Sequence, residues 1–329
     1  MRSSRLDMAL ASGVFAPPLE GDIAIYRPRE GDDFSSLSIG RVQVITGFRP
    51  DADWFVSRGY RIGNGIPYAA AMVCLPRSKE AARALIARAM AEVTPGGPVA
   101  VDGQKTDGID SILKDCKSLG LEIAGPISKA HGKLFVMRAG PSPHGWEAKP
   151  QVIEGGYRTV SGVFSADAPD RGSVLLAEAL PEKLGSRVID LGAGWGFLSR
   201  HILERDGVAE LDVVEAEQDA LDCARDNLGE DARVRFHWAD ARSFKPMRPA
   251  HAVVMNPPFH AGRDADPSLG IAFLKAAAGM LVPDGTLWLV ANRHLPYAPV
   301  LSSLFRQVED IGGDSAFRLT RASHPIKAR

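Results

Sequence analysis

Val188-Ile189-Asp190-Leu191-Gly192-Ala193-Gly194-Trp195-Gly196-Phe197 is the stretch on which the fold turns. An apolar run carrying one acid passes into three glycines spaced by single residues, and a helical pattern opens at Phe197. Glycines let the backbone turn sharply off a strand and let a ligand approach where a Cβ would collide. A glycine-rich strand-to-helix turn is a weak signal alone. Two details sharpen it: Asp190 lies two residues before Gly192, and Glu215 ends the next expected strand, where a carboxylate can accept both hydroxyls of a ribose. A nicotinamide dinucleotide site wants a third glycine at position 197 to bring a pyrophosphate onto the helix start, and Phe197 stands there instead. The pattern Gly192, Gly194, Gly196 after Asp190 suits S-adenosylmethionine, which carries no phosphate.

Outward from this turn, residues 187–321 alternate short β-branched runs with longer amphipathic ones, the rhythm of a parallel sheet with crossover helices. Strands are expected at 187–191, 211–215, 234–238, 252–255 and 286–291, with helices between them and a last hairpin ending near 316–321. Asp240 follows the third of these strands, so Asp190, Glu215 and Asp240 form a series of acids at strand ends. Asp240 is placed to accept an adenine amino group; the plainer alternative is a helix cap or a surface acid.

Asn256-Pro257-Pro258-Phe259 follows the fourth strand directly, at the carboxyl edge where open α/β sheets bind ligands. Two prolines remove two backbone donors and stiffen the chain, leaving a corner rich in acceptors. A planar exocyclic amine must be held by acceptors as its nitrogen becomes tetrahedral toward an electrophilic methyl group. The Asn256 side-chain oxygen and the Pro257 carbonyl can do this, while Phe259 offers a face for stacking a flipped base. No strong base is needed; alignment and desolvation suffice. His260 could relay the departing proton, with a surface histidine as the plainer alternative.

The first half repeats this order of parts. Ala70–Pro76, an Ala-rich helix over 80–91, Pro95-Gly96-Gly97 and a strand at 98–101 match Ala252–Pro258, a helix over 271–281, Pro283-Asp284-Gly285 and the strand at 286–291. Ile123-Ala124-Gly125 with 133–138 matches Asp310–Gly313 with 316–321. Turn formers cluster at Gly140–Gly145, so the domains are expected at 1–140 and 155–329, joined by a linker over 141–154. A chain of 329 residues fits two cores of this size.

Composition narrows the function classes. With 45% hydrophobic and 24% charged residues the profile is globular. The net charge of -1, with residues 1–150 at +3 and the remainder at -4, excludes nucleic-acid binding by bulk electropositivity while allowing a local basic face. Three scattered cysteines, Cys74, Cys116 and Cys223, and the absence of an HExxH pair argue against a metal site or a disulfide framework; buried thiols in a cytoplasmic protein are expected. No apolar run approaches the ~20 residues of a membrane span. Asp7 interrupts the apolar stretch after Arg5, so a short surface helix is expected there rather than a secretory leader.

With these residues in view, the second half resembles class I S-adenosylmethionine-dependent methyltransferases that carry an N/D-P-P-F/Y motif. More narrowly, the chain resembles the bacterial ribosomal RNA guanine-N2 methyltransferases of the RsmC/RlmG type. The resemblance rests on Gly162-Val163-Phe164-Ser165, Gly172–Leu176, Asn256–Gly262 and Val290–Tyr297, and covers residues 155–325. It implies two tandem Rossmann-like α/β domains, the C-terminal one with a seven-stranded sheet and the N-terminal one degenerate, with Leu75-Pro76-Arg77 in place of Asn256-Pro257-Pro258. It implies S-adenosylmethionine held by Asp190, Gly192, Gly194, Gly196, Glu215, Asp240 and Asn256, with the amine bound at Asn256, Pro257, Pro258 and Phe259. It also implies ribosomal RNA or the small ribosomal subunit as partner; a monomer is expected. The first half then supports folding or grips RNA, with Arg27, Arg29, Arg58 and Arg61 as candidate phosphate contacts. Phe164 and Asp170-Arg171-Gly172 could border the methionine end of the cofactor. The same motif also serves adenine-N6 and protein-glutamine methylation. A non-catalytic RNA-binding assembly factor would be an alternative of a different class.

Overall fold

The computed structural model describes residues 2–63, 65–258 and 267–326. It divides into two compact units, 1–149 and 150–329. The expected linker over 141–154 carries structure at its far end, because β8 (Gln151–Val152) pairs with β9 (Arg158–Thr159) inside the second unit.

In the first unit the strands are β1 (Ile23–Tyr26), β2 (Val42–Ile45), β3 (Arg61–Ile62), β4 (Ala70–Cys74), β5 (Pro98–Gln104), β6 (Ala124–Lys129) and β7 (Gly132–Arg138). The helices are α1 (Arg2–Ala11), α2 (Arg49–Val56), α3 (Lys79–Glu92) and α4 (Ile109–Ser118). The sheet runs β3-β2-β1-β4-β5-β7-β6, parallel through β5 and closed by an antiparallel hairpin. Alternate residues serve opposite cores: Ala71 and Val73 of β4 pack with Ile86 and Met90 of α3, while Ala70 and Met72 pack with Leu6 and Ala9 of α1.

The second unit repeats this order with α5 (Arg171–Ala179), β10 (Arg187–Leu191), α6 (Phe197–Leu203), β11 (Glu210–Glu215), α7 (Gln218–Leu228) and β12 (Val234–Trp238). It continues with β13 (Ala250–Met255), α8 (Pro267–Met280), β14 (Leu281–Asn292), α9 (Ala298–Leu304), β15 (Phe305–Gly313) and β16 (Phe317–Pro325). Its sheet runs β12-β11-β10-β13-β14-β16-β15, the same topology position for position. Ile189 and Leu191 pack with Phe273 and Leu274 of α8, whereas Val188 packs with Leu176 of α5 and Leu198 of α6.

Three local expectations are corrected. No helix joins β12 to β13; the connection is turns over 240–249, where Pro246 and Pro249 deny the backbone donors a helix needs and Arg242 folds back onto Asp240. The strand expected at 286–291 begins at Leu281, with the turn-forming Pro283-Asp284-Gly285 taken up by a register shift opposite β13. The N-terminal helix is not a surface element: Arg5, Leu6 and Ala9 are buried against the sheet.

That burial places two arginines against the end of the first unit's sheet. Arg5 Nε and Nη2 donate to the two oxygens of Asp102 at 2.6 and 2.9 Å, and Arg5 Nη1 donates to the Lys129 carbonyl at 3.0 Å. Arg2 adds a bond to Asp102 at 2.7 Å and pairs with Asp32. Asp102 lies opposite Cys74 at the end of β4, so ion pairs fill the carboxyl edge there. Leu75, which follows β4 as Asn256 follows β13, is buried and brings no polar group to the corner.

Arg5 and Asp102 are both fully buried, so Asp102→Ala should destabilise the protein by about 3–5 kcal/mol by stranding the guanidinium. Adding Arg5→Met should recover a large part of that loss in urea unfolding. A double variant no more stable than Asp102→Ala would contradict this account.

Candidate active site

The candidate site lies at the carboxyl ends of β10, β11 and β13. β10 pairs in parallel with β13 through Val188↔Ala252, Ile189↔Val253 and Asp190↔Val254. The Gly192–Gly196 turn and the Asn256–Pro258 segment therefore leave adjacent strands at the same edge. β10 also pairs with β11 on its other side, which brings Glu215 beside the same turn.

The backbone of the turn is pinned to β11. Gly192 N and Ala193 N both donate to the Val214 carbonyl, at 2.9 and 3.0 Å. Gly194 N donates to Glu215 Oε2 at 2.8 Å, and the other carboxylate oxygen takes Glu217 N at 2.8 Å. Gly192, Gly194 and Gly196 all have left-handed φ, at 81°, 57° and 88°. A Cβ on Gly192 would come within 3.2 Å of the Phe273 ring, and one on Gly196 within 3.2 Å of Ala224. A Cβ on Gly194 would meet nothing within 4 Å, so that residue borders open space. Local sterics thus require glycine at both outer positions, while the middle one leaves room for a ligand to approach the main chain.

Asp190 points from β10 toward α6 and is fully buried. Its Oδ2 accepts the Ser199 hydroxyl at 2.6 Å, and its Oδ1 has no hydrogen-bond partner among the described residues. Burial pushes the carboxyl up to about 7, with Ser199 opposing the shift and the nearby Glu215 charge adding to it. Burial also raises Glu215 against the pull of its backbone donors. An orphaned carboxylate oxygen beneath a glycine turn fits a ligand bearing a cationic or N–H donor, as the ammonium of S-adenosylmethionine is. A carboxylate has about four lone-pair directions, so Glu215 keeps capacity for ribose hydroxyls beside its backbone anchors.

Asp240 is engaged differently from the expectation. Its oxygens are forked by Arg242, with Nε at 2.9 Å from each and Nη2 at 2.6 Å from Oδ2, and Arg242 N donates to Oδ1 at 2.9 Å. Its carboxylate carries a guanidinium from its own loop.

Asn256 follows β13, and its Nδ2 donates to Asp170 Oδ2 at 2.8 Å and to Ser173 Oγ at 2.9 Å. Asp170 caps the start of α5, accepting Ser173 N at 2.9 Å. Pro257 is buried and Pro258 exposed. Phe259 and His260 lie outside the described residues. Phe164 is 57% exposed, and its carbonyl accepts the indole N–H of Trp195, within the glycine turn, at 3.0 Å.

Sequence reading missed the Asp170–Ser173–Asn256 and Asp190–Ser199 contacts. The Asp170-x-x-Ser173 spacing before an apolar run signals a helix start, but nothing local couples it to position 256.

The four arginines proposed as phosphate contacts have partners within the first unit. Arg29 pairs with Asp51, Arg61 pairs with Asp22, and Arg58 lies over the Trp54 ring at 3.7 Å; Arg27 is also engaged. Among the described residues no cluster of His, Cys, Asp and Glu could hold a metal ion, and no helix is long and apolar enough to cross a membrane. All three cysteines are buried.

A family profile described as "Methyltransferase small domain" matches residues 155–321. Among curated proteins, "Ribosomal RNA small subunit methyltransferase C" of Pseudomonas paraeruginosa is 31% identical over 274 residues, covering 78% of this chain and 80% of its own. The Shewanella loihica protein of the same name is 27% identical over 271 residues, covering 79% of each chain. "Ribosomal RNA large subunit methyltransferase G" of Alcanivorax borkumensis is 32% identical over 170 residues, 50% of this chain and 43% of its own. Among solved structures, the T. thermophilus 16S rRNA N2 methyltransferase RsmC, in complex with AdoMet and guanosine, is similar in fold. Its TM-score is 0.74 at 24% identity, over 93% of this chain and 89% of that one.

The buried carboxyl gives a pH signature. Asp190 titrates near 7 in the folded protein and near ~3.9 unfolded, so the folded state retains a proton the unfolded chain has released between these values. This group therefore removes stability as pH rises through that window, and the loss persists above it. In urea unfolding of the cofactor-free protein, Asp190→Asn should gain on the parent by up to about 1.4 kcal/mol per pH unit from pH 4 to 7, then level off. A difference independent of pH would refute the shift.

Proposed function

Since this chain belongs to the methyltransferase small domain family, and within it to the ribosomal RNA methyltransferases of the RsmC/RlmG type, we propose that it methylates the exocyclic N2 amine of a guanine in ribosomal RNA, with 16S rRNA of the small subunit as substrate. The observation that carries this reading is the pairing of β10 with β13, which sets the glycine turn and Asn256-Pro257-Pro258 side by side at one sheet edge. S-adenosylmethionine, when bound, supplies an electrophilic methyl group on a sulfonium.

The chain's own residues do the rest. Gly194 lets the cofactor approach the main chain, Glu215 takes the ribose hydroxyls, and the buried Asp190 carboxyl beside the turn contributes the negative charge that draws the ammonium group. Asp240, in the loop after β12, is assigned the adenine amino group, which its carboxylate can accept by giving up a bond to Arg242. The Asn256 side-chain oxygen and the Pro257 carbonyl accept the two N–H bonds of the target amine, turning its lone pair out of conjugation and toward the methyl. Proline at 258 brings no N–H donor to this corner. The amine needs no base before attack, and loses its proton once it is cationic. Stacking of the base is assigned to Phe259 from the sequence pattern alone, since that residue lies outside the described ones. The first unit, whose carboxyl edge is closed by the Arg2, Arg5 and Asp102 ion pairs, is read as a non-catalytic part that supports the fold or grips RNA.

Incubation with tritiated methyl donor and naked 16S or 23S rRNA, or 30S or 50S particles, followed by nucleoside analysis, should place label in N2-methylguanosine from 16S rRNA. Label in N6-methyladenosine or in protein overturns the guanine assignment. Asn256→Ala should lower kcat by about 10²–10³ with little change in KM for RNA, since its acceptor acts mainly as the amine becomes tetrahedral. In calorimetry, Glu215→Ala should weaken S-adenosylmethionine binding; unchanged affinity would remove the ribose role.

A further inference from the structure

We propose that Asp170 is a positioning residue that decides which end of the Asn256 amide faces the target amine; the inference rests on the reading of Asn256 above. A side-chain amide is nearly symmetric in shape, and its terminal torsion is broad and roughly two-fold. Unrestrained, Asn256 presents its NH2 as readily as its oxygen, and an NH2 facing a substrate NH2 sets donor against donor. An ionised carboxylate only accepts, so Asp170 can be met only by the nitrogen end.

Asp170 is itself held in place. Its Oδ2 takes Ser173 N at 2.9 Å as the cap of α5, so the first turn of that helix fixes the carboxylate. A Cβ on Gly172 would stand 3.1 Å from Asp170 Oδ2 and 3.0 Å from the Phe317 ring, so the segment has little room to shift. Ser173, 8% exposed, adds a second acceptor at 2.9 Å on the same amide nitrogen. With Nδ2 committed to Asp170 and Ser173, the plane of the amide is set and Oδ1 forms the opposite end. The contact spans 86 positions of sequence, so tertiary structure alone supplies it.

The arrangement is also selective at position 256. A carboxylate there would face Asp170 at hydrogen-bond distance with no proton between them, a like-charge clash. This chain is therefore built for the amide at 256. The same oxygen, Asp170 Oδ2, takes both Ser173 N and Asn256 Nδ2, so an asparagine at 170 with its oxygen in that place still accepts both, whereas a residue without a side-chain acceptor releases the amide.

The test compares wild type, Asp170→Asn, Asp170→Gly and Asn256→Asp on the RNA that wild type methylates. Glycine is tolerated at a helix cap at little cost, so a purely structural role leaves Asp170→Gly near wild type in both Tm and kcat. The positioning role predicts a nearly unchanged Tm and unchanged KM for RNA with kcat about 10–100-fold lower in Asp170→Gly, and kcat near wild type in Asp170→Asn, which keeps the acceptor. It predicts a larger loss in Asn256→Asp. An independent readout is the Asn256 side-chain NH2 resonance in protein labelled with 15N-asparagine, assigned by its absence in Asn256→Asp. Its hydrogen exchange should be slow in wild type and in Asp170→Asn, and fast in Asp170→Gly. Wild-type kcat in Asp170→Gly or fast exchange in wild type overturns the proposal. If wild type labels no RNA, the substrate reading fails by itself, and the exchange measurement still decides whether Asp170 holds the amide.

Discussion

The parallel pairing of β10 with β13 is the constraint on which the rest of the second unit depends. Strand order is fixed by which apolar faces can be buried, and both faces of β10 are covered, one by α5 and α6 and the other by α8. Once Ile189 lies opposite Val253, two segments more than sixty residues apart in sequence leave the sheet at the same edge. The glycine turn can then shape a cofactor crevice and Asn256 can stand beside it. Chemistry at this edge follows from a register set by valine and isoleucine.

The first unit shows that topology alone is insufficient. Its sheet has the same strand order, yet the ends of its strands carry different residues. Where the second unit has glycines after its first strand, the first has Arg27-Pro28-Arg29, and where the second has Asn256, the first has a buried Leu75. Asp102 and the two arginines of α1 close the same edge with charge pairs. A buried ion pair is weak evidence for stability, since its desolvation opposes its Coulombic gain. A bidentate Arg5 with a third bond to a carbonyl offsets that penalty and fills the ends of β4 and β5 with charge pairs.

Much of this was legible in the sequence because it is local. The glycine spacing and Asn-Pro-Pro after an apolar run act through neighbours along the chain, and the strands at 187–191 and 234–238 have the bounds their patterns imply. What escaped reading depends on contacts between distant segments. The helix expected between β12 and β13 is replaced by turns held by Arg242 on Asp240. The apolar periodicity of α1 is modest, and its burial comes from Arg5 finding Asp102 nearly one hundred residues away. Asp170 reads as a helix cap from its spacing, while its bond to Asn256 has no local signature. The domain repeat was legible for a further reason: Pro-Gly punctuation recurs at the same place in both halves.

The electrostatics of the second unit's edge lead to one more step. Asp170, Asp190 and Glu215 all converge on it, and each is satisfied in a different currency: helix-start and amide N–H groups for Asp170, one hydroxyl for Asp190, two backbone N–H groups for Glu215. Burial raises the carboxyls of Asp190 and Glu215, so the edge carries acids that water has partly abandoned. A cation-bearing ligand would find those acids already in place, and would be drawn in more strongly as Asp190 ionises. The amide at 256 is the neutral member of the group. A carboxylate in its place would add another negative charge at hydrogen-bond distance from Asp170, so the neutral side chain is the one that this crowded acidic edge can hold without like-charge repulsion.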